Sequence, residues 1–188
     1  MKKLYFDNAA TSNPKPDSVL DAMQHYFKYI CTSPGRGGYG QGLKAGRILF
    51  ETRRKIKELF NAPSEENVIF TPNVTYALNF VMMSLLKPED HVITTSMEHN
   101  SVIRPLRYLE KTRKVEVTVV PCDSKGKLNP EDVRKAIKPN TKLIVMTHAS
   151  NVTGQIMPVE AIAQIKEQAG VYFMLDTAQT AGVLDIDY

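Results

Sequence analysis

Cysteine is scarce in this chain of 188 residues: only Cys31 and Cys122 occur. They lie far apart and lack metal-type spacing, which argues against a zinc site and against a disulfide framework. Both are expected to act as buried small hydrophobes, with reduced thiols in a cytoplasmic setting. Long apolar runs are missing as well. Leu4-Tyr5-Phe6 stops at Asp7, too short for the core of a signal peptide. No run is long enough to span a membrane. Charge excess is small, because 24 Lys and Arg against 20 Asp and Glu leave a formal +4. The basic residues are spread along the chain, so a nucleic-acid groove is not indicated. The cluster Arg53-Arg54-Lys55-Ile56-Lys57 reads as the solvated face of a helix. Internal repeats, low-complexity linkers and clear domain boundaries are absent too. What is present is ordinary globular composition, 43% apolar and 23% charged, and enough length for one domain with a core.

The pattern along the chain is that of an α/β fold. Pro14 and Pro16 open a helix with Val19, Met23, Phe27 and Ile30 on one face. A glycine-rich loop, Thr32–Gly42, separates it from a second helix bearing Leu49, Ile56 and Phe60. Residues 1–60 therefore read as a helical arm packed on a sheet built from residues 61–188. In that second part, strands are expected at Val68–Thr71, His91–Thr95, Val115–Val120, Leu143–Met146 and Val171–Leu175. Helices are expected at Thr75–Leu86 and Ser101–Lys111, after the Asn129-Pro130 start signal, and from Pro158 to the closing Gly170. Five strands separated by four helices predict a mostly parallel sheet with helices on both faces. The tail after Asp176 has no closing element, so the chain reads as cut off.

In such folds ligands gather where the strands end, and several polar residues fall there. Gly35-Arg36-Gly37-Gly38-Tyr39-Gly40 spells a dinucleotide fingerprint, but a helix precedes it where a strand is required. A flexible loop, or a loop over a site's mouth, explains it better. Asn73, Val74 and Thr75 begin a helix after a strand, which suits either a phosphate cradle or simple N-capping. His99 follows the next strand; an imidazole there can stack on a heteroaromatic ring and move a proton, or be a structural hydrogen-bonding group. Its neighbour Glu98 is either an acid/base group or a solvated loop carboxylate, and reads better as the latter. Asn151 follows the fourth strand as a turn residue or a ligand. Asp176 ends the fifth, where a carboxylate is costly without a partner; a protonated ring nitrogen would be one. Taken together, these are the parts that hold pyridoxal 5'-phosphate. The cradle takes the phosphate, Asp176 keeps the ring nitrogen protonated, and Asn151 and Gln179 offer hydrogen bonds to the ring hydroxyl.

Tyr5-Phe6-Asp7-Asn8-Ala9-Ala10-Thr11, Glu98-His99, Ser150-Asn151-Val152-Thr153-Gly154 and Asp176-Thr177-Ala178-Gln179 resemble the class V aminotransferase superfamily, within it the cysteine desulfurase and selenocysteine lyase branch. The resemblance runs over essentially the whole chain. It implies the large domain of a fold type I pyridoxal-phosphate enzyme, here truncated to its N-terminal part, and a homodimer. It makes Thr75 the phosphate threonine, His99 the ring-stacking residue and Asp176 the partner of the pyridine nitrogen. Asn151 and Gln179 lie near the ring oxygen, and the loop with Arg36 and Gly37 near the entrance. Asn73-Val74 departs from the family's Gly-Thr. The family's Schiff-base lysine follows Asp-x-x-Gln by some two dozen residues, and no lysine occurs here after Lys166. Neither cysteine matches the family's sulfur-accepting residue.

The expected activity of the whole protein is therefore conversion of L-cysteine to L-alanine with an enzyme persulfide, passed to a sulfur acceptor protein. This chain alone is expected to be inactive. Two alternatives stand beside it: a non-catalytic module that dimerises or binds cofactor weakly, and an aminotransferase or other lyase of the same superfamily.

Overall fold

A computed structural model describes residues 4–35 and 38–187. Arg36 and Gly37, expected near the entrance of the site, lie outside the described residues. The chain divides into two compact units, Met1–Phe70 with Leu184–Tyr188 and Thr71–Val183.

The first unit contains α1 (Asp17–Tyr29) and α2 (Gly40–Leu59). The expected stripe on α1 forms, yet no residue of that helix is buried; Val19, Met23 and Phe27 are all exposed. On α2 the basic cluster is partly tied down. Arg54 bridges Glu51 at 2.6 Å, while Arg53 donates from Nε to the Val68 carbonyl at 3.1 Å and lies over the Phe70 ring. The segment Val68–Thr71 is not a strand. Val68 has extended backbone (φ −96°, ψ 111°) and ends a 3-10 turn, Glu65–Asn67. No strand pairs with it among the described residues, and Ile69 is 75% exposed. Extended conformation becomes a strand only through a partner's hydrogen bonds.

The second unit alternates α3 (Val74–Leu85), β1 (His91–Thr95), α4 (Asn100–Arg113), β2 (Glu116–Val120), α5 (Pro130–Lys135), β3 (Thr141–Thr147), α6 (Val159–Ala169) and β4 (Tyr172–Asp176). All four strands are parallel, in the order β2-β1-β3-β4. The period-2 alternation of side chains sorts the core into two layers. Val92, Leu143 and Val145 face α3 and α4, meeting Leu78, Met82, Leu106 and Leu109. Ile93, Ile144 and Met146 face α5 and α6, meeting Val133, Ile162 and Ile165. The sheet is thus covered on both faces. Local signals set the helix ends: Asn129 Oδ1 accepts the Glu131 N–H at 3.2 Å, and Gly170 closes α6 with φ 65°, a conformation that suits a residue without Cβ.

No described helix is long and apolar enough to cross a membrane.

Candidate active site

The strand order defines where a ligand would sit. The chain leaves β1 toward β2 on one side, then returns over β1 to add β3 on the other. Connections from β1 and β3 therefore diverge, and the crevice outside their carboxyl ends is the switch point of the sheet. A cleft of about 420 Å³ opens there, walled by residues 96–100 after β1 and 150–153 after β3. A second cleft, about 570 Å³, lies between α3 and α4 and includes Thr75 and His99 in its lining. His99 and Asn100 line both, so the start of α4 forms the wall between them.

Each wall is shaped by local hydrogen bonding. His99 caps α4: its Nδ1 accepts the Ser101 N–H at 3.2 Å and lies 2.9 Å from Ser101 Oγ. The structural role considered for this histidine is thus realised, and a neutral ring with Nδ1 accepting keeps its proton on Nε2. Asn73 also acts as a cap, its Oδ1 taking the Tyr76 N–H at 2.9 Å. Helix geometry leaves the Val74 and Thr75 amides at the exposed first turn, beside the Thr75 hydroxyl. Asn151 sits at the tip of a turn folded around Ser150. Ser150 Oγ accepts from the Val152 and Thr153 N–H groups at 3.2 and 3.3 Å, and Gly154 closes the turn with φ 70°. An antiparallel bridge between Ala149 and Ile156 holds its base.

Asp176 ends β4 directly opposite Thr147 of β3 and is 5% exposed. Its Oδ1 accepts the Ala178 N–H at 3.0 Å. No ion pair with it occurs among the described residues. Gln179 follows, half-buried, in the turn where Thr180 N–H bonds to the Thr177 carbonyl at 2.9 Å.

Glu98 and His148 depart from the pattern that the sequence suggests. Glu98 is not a solvated carboxylate. Oε1 accepts from Thr95 Oγ1 at 2.7 Å, and Oε2 is buried with no partner among the described residues. Burial pushes its carboxyl up to about 7, with the nearby Asp176 charge adding in the same direction and the hydrogen bonds from Thr95 and Thr147 opposing it. Its depth depends on β3 and β4 lying beside it, which local sequence does not state. His148 is the missed residue, buried just beyond β3 with Nδ1 unpartnered among the described residues. Burial lowers its pKa and Glu160 partly offsets this. Its position two residues after core-facing Met146 was the available signal. The cysteines also differ from expectation. Cys31 is exposed and Cys122 half-buried; Cys122 N–H donates to Ser96 Oγ at 2.9 Å, and burial pushes its thiol up.

A four-stranded parallel sheet in this order, covered by helices on both faces, defines an α/β domain. The family model for class-V aminotransferases matches residues 4–188, and the chain belongs to that family. Within it the chain is similar to cysteine desulfurases. A probable cysteine desulfurase of Methanothermobacter thermautotrophicus is 36% identical over 185 residues, which make up 98% of this chain and 46% of that protein. The apo structure of a cysteine desulfurase from Thermococcus onnurineus superposes with a TM-score of 0.91 at 31% identity, covering 98% of this chain and 46% of its own. SspA in complex with cysteine superposes with a TM-score of 0.90 at 29% identity, covering 97% and 53%. The chain thus spans about half the length of the relatives it matches.

Proposed function

We propose that these residues form the cofactor-binding part of a pyridoxal-phosphate-dependent cysteine desulfurase. The single observation that carries the cofactor reading is Asp176, a carboxylate 5% exposed at the sheet's ligand-binding edge with no protein cation beside it among the described residues. Burying an unpaired charge costs several kcal/mol, roughly, and a protonated ring nitrogen would supply the partner. The donor set around it fits the rest of the group. Thr75 and the first-turn amides of α3 would take the phosphate. The His99 ring would lie against the pyridine face, and Asn151 and Gln179 would bond the ring hydroxyl.

When bound, the cofactor's ring acts as a sink for electrons released at the substrate's α-carbon. The chain's own residues serve that chemistry by holding position and charge. Asp176 would hold the proton on the ring nitrogen, and the Ala178 N–H already donates to its Oδ1. The Ser101 bonds orient His99, leaving Nε2 to exchange a proton. Substrate choice rests on the relatives: one is seen with cysteine bound, and others bear the name of cysteine desulfurases. For the whole protein the reaction would move the sulfur of L-cysteine onto an enzyme thiol, giving L-alanine and a persulfide. A homodimer and a sulfur acceptor protein complete the proposal. The chain spans about half the length of its relatives, and the anchoring lysine and the sulfur-accepting cysteine of the reaction are not assigned to any of these 188 residues.

The test is titration of the chain with pyridoxal 5'-phosphate, followed by absorbance and equilibrium dialysis. Saturable one-to-one binding that D176N weakens about tenfold or more supports the reading. Borohydride reduction and peptide mapping should find no single lysine labelled in proportion to the bound cofactor. Binding unaffected by D176N, or robust sulfide release from cysteine by this chain, would overturn it.

A further inference from the structure

The cleft between α3 and α4 is built from two facing side-chain rows. Thr75, Asn79 and Met83 recur every fourth residue on α3; Asn100, Arg104 and Tyr108 do so on α4. Residues four apart stack on one helical face, so the rows form a trough. Arg113 of α4 ties one end by donating to the Met83 carbonyl of α3 at 2.6 Å, while Asn79 Nδ2 donates to the Thr75 carbonyl at 2.8 Å within α3.

Arg104 is the one charged residue in this lining, and no carboxylate lines the cleft. Thr71–Val183 contains four arginines. Arg107 pairs with Glu110, Arg113 binds the Met83 carbonyl, and Arg134 binds Glu131 and Gln168. Arg104 alone has no hydrogen bond or ion pair among the described residues. A guanidinium offers five donors in a planar fork matched to oxyanions. Here it shares a cleft with a threonine hydroxyl, an asparagine amide and a phenol.

We propose that Arg104 is an oxyanion-binding residue, and that the α3–α4 trough receives a phosphate or carboxylate group gripped by its guanidinium with Thr75 and Asn100. The inference rests on the cofactor reading for its choice of sources, which are the cofactor's phosphate and the substrate's carboxylate. The binding chemistry itself stands on the trough.

Inorganic phosphate is titrated into wild type, R104Q and R104K, with binding read by calorimetry and amide NMR shifts. Circular dichroism verifies the fold, and Arg104 is exposed, so the variants should remain folded. Wild type should bind phosphate, with R104Q weakened about tenfold or more, the scale of losing a charge-assisted contact, and R104K recovering part of the loss. Pyridoxal 5'-phosphate against pyridoxal, and L-cysteine against cysteamine, separate the sources. If R104Q erases the phosphate-dependent gain, the cofactor is the ligand; if it erases the carboxylate-dependent gain, the substrate is. Phosphate binding lost in R104Q while pyridoxal 5'-phosphate fails to bind wild type would support Arg104 and sink the cofactor reading. Equal affinities of wild type and R104Q for phosphate, cofactor and cysteine would overturn the inference.

Discussion

Replacing Glu98 by glutamine should stabilise the protein in alkali and leave it nearly unchanged in acid. Raising a carboxyl from 4.5 to about 7, at about 1.36 kcal/mol per pH unit, sets a ceiling of about 3 kcal/mol. The sign follows from proton counting. Between these values the folded state holds a proton on Glu98 that the unfolded chain has released. Stability is therefore full below pH 4.5 and is lost as pH rises through about 7. Glutamine cannot ionise, so E98Q escapes that loss. Urea unfolding of both proteins at a series of pH values gives the difference directly. Titrating groups that do not interact with Glu98 are common to both and cancel, and the interaction with Asp176 is part of the difference measured. E98Q should gain on wild type steadily from pH 4.5 to about 7 and level off above it. A difference that stays flat with pH, or that widens toward acid, would refute the burial argument for this carboxylate.

His91 should push the opposite way. It is fully buried, with Nδ1 2.7 Å from Thr141 Oγ1 and Nε2 2.8 Å from Thr118 Oγ1, and burial lowers its pKa, with Lys138 adding to this and Glu116 opposing. The unfolded chain takes up a proton first on acidification, so this contribution is present above pH 6.5 and fades below it; H91Q should flatten that acid-side fall in melting temperature. Removing the α3 cap with N73A should cost about 1 kcal/mol, read from the urea midpoint. L106A deletes a side chain 1% exposed and should cost about 2–5 kcal/mol in the same assay.

The elements that carry their own signals were legible. Asn129-Pro130 at the start of α5, Gly170 at the end of α6 and the apolar run His91–Thr95 each formed where local chemistry placed them. What local sequence does not hold is partnership. Val68–Thr71 has the composition of a strand, but a strand exists only against a neighbour. Glu98 looked like a loop residue because nothing near it in sequence announces that Thr147 and Asp176 will lie beside it. That His99, Asn151 and Asp176 lie at or just past strand ends was foreseeable from the polarity of β1, β3 and β4, whereas Thr75 follows no strand, because the one expected before it does not form. That the start of α4 divides two clefts was not foreseeable, because this depends on β3 inserting beside β1.

That insertion has a kinetic side. His91 meets Thr141 across fifty positions of chain, so the central strand pair closes a long loop and must wait for α5 and its connections to be made. A ribosome that has delivered β1, α4 and β2 has produced a two-stranded platform with its inner margin unzipped, and an unpaired strand edge invites aggregation. The crevice between residues 96–100 and 150–153 thus arrives late in synthesis. Slowing translation just after residue 140 should lengthen the interval in which a chaperone, rather than β3, occupies that margin.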